Sequence, residues 1–93
     1  MTQIPYKSTP IFDENSLPDR LRNAHNTKSG VWGIIRVLEG QIRYVIEETG
    51  ETTILTPEQP GLVQPEQFHR VELLGPMKMQ VEFYDHRPEV AGQ

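Results

Sequence analysis

The sequence predicts an all-β domain of the small jelly-roll or barrel kind. Glycine and proline interrupt the 93 residues at short intervals, as in chains that reverse direction every few residues. Between the interruptions lie about six to eight runs rich in β-branched and aromatic residues, each too short for a helix. One segment alone, "SLPDRLRNAH" at 16–25, reads as helical. A chain of this size made of hairpin-joined strands closes most economically as a sandwich, a barrel or a small jelly roll.

In order along the chain, residues 1–15 form an extended N-terminal arm. The short helix follows, with Ser16 placed to cap it and Pro18 and Asp19 suited to its first turn. "GVWGIIRVL" (30–38) is apolar on both alternating faces except at Arg36, the pattern of a strand covered on both sides. Glu39-Gly40 turns the chain into "QIRYVIEE" (41–48), and Thr49-Gly50 turns it again into "ETTILT" (51–56). A loop with two prolines leads to "LVQP" (62–65). His69 opens "HRVELL" (69–74), Gly75-Pro76 turns, and "MKMQVEFYD" (77–85) is the last long strand. Residues 86–93 read as a loose tail, and the whole as one domain over 1–93.

Composition removes several functions. Thirteen acidic against nine basic residues give a net charge of −4, the wrong sign for broad nucleic-acid binding. Without cysteine there are no disulfides, zinc–thiolate sites or thiol nucleophiles. No apolar run approaches membrane-spanning length, and "MTQIPYKSTP" lacks the layout of a secretory signal. The expected setting is the cytoplasm, with no membrane partner.

Hairpin arithmetic proposes a site. If Gly75-Pro76 is a two-residue loop, counting outward sets Val71 opposite Gln80 and His69 opposite Glu82. Directly opposed side chains share a face about 5 Å apart, so an imidazole would lie beside a carboxylate; a longer loop would separate them. The same count at Glu39-Gly40 sets Val37 against Ile42, Ile35 against Tyr44 and Gly33 against Ile46, a core face. Its reverse side opposes Arg36 to Arg43, whose heads must splay into water or share acidic partners.

The segments "YKSTPIFDENSLP", "HNTKSGVWGIIRVLEG", "TPEQPGLVQPEQFHRVE" and "VEFY" together resemble the small cupin-like proteins called TehB-like or YeaR-like. That family includes the N-terminal domain of some tellurite-resistance methyltransferases. The resemblance implies a cupin-like double-stranded β-helix, often a homodimer, and little defined activity. It makes His69 the second-motif histidine. The first motif departs from a metal-binding cupin: Thr27 stands where a second histidine would follow His25, and Gly33 where a glutamate would be. A methyltransferase also needs a nucleotide-binding domain with a Gly-rich turn, and the chain shows no such motif.

His25, His69 and Glu82 are thus the expected metal ligands, two imidazoles and a carboxylate suited to zinc, iron, manganese or nickel. Lys28, Lys78, Gln80 and Tyr84 are the expected contacts to a small polar or anionic ligand. The plainer reading makes His25 a loop histidine bonded to nearby carbonyls and pairs His69 with Glu82 only structurally. Three functions compete: a small-molecule-binding cupin, metal-dependent and related to tellurite resistance or stress; a metal-assisted isomerase, hydrolase or oxygenase; and a partner-binding scaffold. Fold does not choose among them.

Overall fold

In the computed structural model, residues 3–90 are described, and they form two antiparallel sheets and one very short helix. Residues 1–2 of the arm and 91–93 of the tail lie outside them. In chain order the elements are β1 (Lys7–Ser8), β2 (Phe12–Asp13), α1 (Asp19–Arg22), β3 (Trp32–Glu39), β4 (Ile42–Ile46), β5 (Thr52–Leu55), β6 (Gly61–Val63), β7 (His69–Leu73) and β8 (Lys78–Tyr84). One sheet runs β1-β8-β3-β6, with β2 also on β8; the other runs β5-β4-β7.

The alternation of side chains along each strand decides what is buried. Ile35, Val37, Val63, Met79 and Val81 on the first sheet meet Ile42, Tyr44, Leu55 and Val71 on the second. Each such aliphatic side chain taken fully from water contributes about 1.5–3 kcal/mol. Ile34 and Tyr84 are also buried, on the other face of the first sheet, so β3 is covered on both sides as its composition requires.

The Thr49-Gly50 turn makes a true hairpin, pairing Ile42 with Leu55 and Val45 with Thr52. The other two turns do not. At Glu39-Gly40 and Gly75-Pro76 the chain crosses from one sheet to the other, so β3 pairs with β8 and β6, while β4 pairs with β5 and β7. His69 pairs with Ile46 and Glu82 with Ile34, which replaces the expected His69–Glu82 pair. Arg36 and Arg43 are likewise not opposed: Arg36 bonds Glu82 at 2.8 Å and Arg43 bonds Glu72 at 3.0 Å. The two corners pack on each other. Gly40 has φ +75°, and a Cβ there would lie 2.4 Å from the Pro76 carbonyl oxygen, so both its conformation and its surroundings call for glycine.

Near the N-terminus, Ser16 does not cap α1. Pro18 holds the cap position without a side-chain bond. The Ser16 hydroxyl instead accepts from the Asp13 N–H, while the Asp13 carboxylate accepts from the N–H groups of Asn15 and Ser16, a local turn that competes with helix capping. The arm lies along the first sheet through β1 and β2. Beyond β8 the chain also packs: Pro88 is buried, the Arg87 guanidinium lies 5.6 Å from the Trp32 ring centre, and the Gln3 side chain and Glu89 backbone exchange two hydrogen bonds.

Candidate functional site: a cavity beside a histidine pair

His69 begins β7, and Phe83 lies near the end of β8, so the two sheets have a second end remote from the 75–76 corner. A cavity of about 260 Å³ lies there. Its walls are apolar: Ile35, Val63, Met79, Val81 and Phe83 from the first sheet, Val71 from the second, Leu21 from α1 and Phe12 from β2. His25 and His69 also line it, with Thr27 and Asn26, and Lys7 and Arg20 add two cationic side chains. None of its lining residues is acidic.

The local chain explains how the two histidines meet. Glu66, in the turn before β7, takes a φ of +63°, unusual for a side chain with a Cβ. Its N–H donates to the Thr27 carbonyl, which fastens the turn to the segment carrying His25. His25 and His69 then form a two-way backbone bridge: each N–H donates to the other's carbonyl, at 3.0 and 2.9 Å. Their rings lie 4.2 Å apart at a 60° angle, and Tyr44 meets His69 edge-on at 5.6 Å.

Both rings are oriented by carbonyls. His25 Nδ1 lies 3.0 Å from the Asn23 oxygen and His69 Nδ1 lies 2.8 Å from the Gln67 oxygen. Only a protonated nitrogen can donate to a carbonyl, so in the neutral ring the free lone pair is on Nε2. His69 is 3% exposed. Burial pushes its pKa below the ordinary 6.5, against the opposing pull of the Gln67 carbonyl, and nearby His25 lowers it further. Burial also pushes the Tyr44 phenol up, and that hydroxyl donates to the Leu62 carbonyl at 3.0 Å.

Of the residues expected at the site, the structure brings His25 and His69 together and leaves the others elsewhere. Glu82 projects from the face of β8 opposite the cavity-lining Val81 and Phe83, where its carboxylate accepts from Arg36 and the Tyr84 hydroxyl. Lys78 pairs with Glu39, the Gln80 amide donates to the Thr9 carbonyl, and Lys28 is exposed. Lys7, Arg20, Leu21 and Phe12 were not singled out. They come from the arm and the helix, where the sequence gives no register to the sheets; only the apolar positions of α1 could have suggested Leu21.

The expected metal centre is corrected. Among the described residues no group of three or more His, Cys, Asp or Glu is placed to hold a metal ion. The position of the cupin glutamate is held by a glycine at a close approach. A Cβ on Gly33 would already be 3.3 Å from the Val63 Cβ, tighter than ordinary packing.

Fold and site together define a class: a small two-sheet β domain with a partly open, largely apolar cavity at one end. The chain belongs to the TehB-like domain family, whose model matches residues 7–81. It is 41% identical over 76 residues to a probable S-adenosyl-L-methionine-dependent methyltransferase TehB of Haemophilus influenzae (strain 10810), covering 76% of this chain and 27% of that protein. The same protein from a second H. influenzae strain is 40% identical. The chain thus spans about a quarter of the length of the curated relatives it matches. The crystal structure of H. influenzae TehB superimposes with a TM-score of 0.77 at 35% identity, over 86% of this chain and 30% of that one. A crystal structure of an Escherichia coli (strain K12) protein has the same fold, with a TM-score of 0.77 at 22% identity over 96% of this chain and 100% of that one.

These relatives overturn the expected metal-dependent cupin and the metal-assisted enzyme. The cofactor in their names is S-adenosylmethionine, not a transition metal. The described residues of this chain do not fit that cofactor. Both sheets are antiparallel and the one helix has four residues, whereas nucleoside cofactors are held at a Gly-rich strand-to-helix turn with a carboxylate on the ribose. The cavity lacks such a carboxylate. No helix among the described residues is long and apolar enough to cross a membrane.

Proposed function

We propose that this domain serves S-adenosylmethionine-dependent methyl transfer as a non-catalytic module, one that captures a small molecule for that chemistry. The observation that carries this reading is the cavity of about 260 Å³ with apolar walls and two imidazoles. An apolar cavity of about 150 Å³ admits benzene, so the space suits one small ring or chain with polar ends. The relatives' names supply the link to methyl transfer.

We read the architecture as a jelly roll whose single domain fills the chain. Its support is that the chain changes sheets between β3 and β4, β5 and β6, β6 and β7, and β7 and β8. A homodimer would form through the outer edge of β5, where Ile54 is 37% exposed; a light-scattering mass of one chain would refute it. We read the domain as cytoplasmic, a setting that suits the S-adenosylmethionine of the relatives' names.

Ligand-observed NMR with phenol and toluene tests the cavity, and calorimetry with S-adenosylmethionine tests the division of labour. Both probes should bind the wild type at millimolar concentration. Binding should be lost in Leu21→Trp, at the helix wall, and in Val63→Phe, at the sheet wall. S-adenosylmethionine should show no binding to this chain. Absence of probe binding, or stoichiometric cofactor binding here, would refute the proposal.

A further inference from the structure

The ionisable side chains lining the cavity fall into two sets by exposure, a buried to half-buried histidine pair and two exposed cations. At its inner end His69 is nearly inaccessible, with Nδ1 committed to the Gln67 carbonyl. Its neighbour His25 is committed in the same way to Asn23. Each neutral ring therefore turns a lone pair, not an N–H, to any further partner. The hydrogen bonds of both rings run through Nδ1, to the Asn23 and Gln67 carbonyls. At the outer side are Lys7, from β1, and Arg20, from α1, both exposed. They reach the cavity from different elements, and neither forms an ion pair with another described residue. The rest of the lining is mostly hydrocarbon, with Thr9, Asn26 and Thr27 as its neutral polar members, and none of the lining residues is a carboxylate.

A complementary molecule carries a hydrogen-bond donor at one end, a short apolar body, and an anion at the other. We propose that the cavity selects a small organic acid with a hydroxyl donor remote from its carboxylate, hydroxyaryl carboxylates being the representative class. The hydroxyl donates to an Nε2 of the histidine pair, the ring lies against Val81 and Phe83, and the carboxylate rests between Lys7 and Arg20. This rests on the reading that the cavity holds a small molecule, and it adds the chemistry of both ends.

The probes are 4-hydroxybenzoate, benzoate, 4-methoxybenzoate, phenol and tyramine, titrated against the whole chain with imidazole ¹⁵N shifts as the readout. We expect 4-hydroxybenzoate to bind at least tenfold more tightly than benzoate, 4-methoxybenzoate or phenol, and to shift an Nε2 resonance. The double variant Lys7→Gln/Arg20→Gln changes only exposed side chains. It should weaken 4-hydroxybenzoate about tenfold and leave phenol unchanged. If 4-methoxybenzoate binds as well as 4-hydroxybenzoate, the donor assignment is wrong. If tyramine matches 4-hydroxybenzoate, or the double variant binds the acid as the wild type does, the cationic rim is wrong. In those cases phenol still binds and the cavity reading survives; if no probe binds, that reading falls as well.

Discussion

Replacing Gly40 and Gly50 by alanine, separately, tests whether the two inter-sheet corners pack as described. Both residues have positive φ, +75° and +74°. A left-handed conformation costs a residue with a Cβ about 1–2 kcal/mol. The stiffer unfolded chain returns about 0.4–1 kcal/mol. Gly50, with nothing within 4 Å of its added Cβ, should therefore lose only about 1 kcal/mol. At Gly40 the same Cβ would be 2.4 Å from the Pro76 oxygen and 3.1 Å from the Met77 Cα. Backbone cannot rotate aside as a side chain can, so overpacking adds about 1–3 kcal/mol. Urea unfolding followed by circular dichroism measures both variants. The Gly40 variant should be the less stable by that added amount, and its melting temperature lower by at least about 4 °C. Equal losses at the two positions would mean that the 39–40 and 75–76 corners do not touch.

Other perturbations separate the cavity from the outer surface. Burial disfavours the His69 imidazolium, so its pKa is below the ordinary 6.5. The unfolded chain then takes up the proton first, and the contribution of this residue is complete above that value and declines as pH falls from it toward the folded pKa. Urea midpoints at pH 7.5 and 5.5 should show a decline that is reduced in His69→Gln; an unchanged decline would assign it to other groups. Glu82→Ala removes the partner of Arg36 and Tyr84 and should cost about 1 kcal/mol, while phenol binding, followed by NMR, stays as in wild type. Met79→Ala, at a fully buried cavity wall, should cost about 2–5 kcal/mol and admit a bulkier aromatic probe than the wild type does. Tyr44→Phe removes the hydrogen bond to Leu62 and should cost about 1 kcal/mol in the same unfolding assay.

The inward faces of β3 and β4 were readable from the sequence; the inward face of β8, which is that of Met79, Val81 and Phe83, and the strand partners were not. Alternation along one strand sorts residues by side, whatever strand lies next to it. Gly33, Ile35, Val37, Ile42 and Tyr44 accordingly fall on the inner faces as read. Partner choice depends on whether a short turn closes a hairpin or carries the chain between sheets. Thr49-Gly50 does the first, while Glu39-Gly40 and Gly75-Pro76 do the second. What distinguishes them is the close approach of Gly40 to Pro76, a contact 36 positions apart that no local pattern encodes. The same error placed Glu82 beside His69. The structure brings His25 and His69 together, and the bridge joining them is a backbone contact between distant segments. Lys7 and Arg20 gain a place at the cavity only once the arm and helix are laid on the sheets.

The mutual clasp of Gln3 and Glu89 fixes where the polypeptide enters and leaves. Entry and exit are one side-chain length apart, so a peptide linker across them spans almost no distance. A circularly permuted version joined there and opened at the exposed Thr49-Gly50 turn should keep both sheets. The fold is thereby a closed cassette that another chain can carry without stretching it.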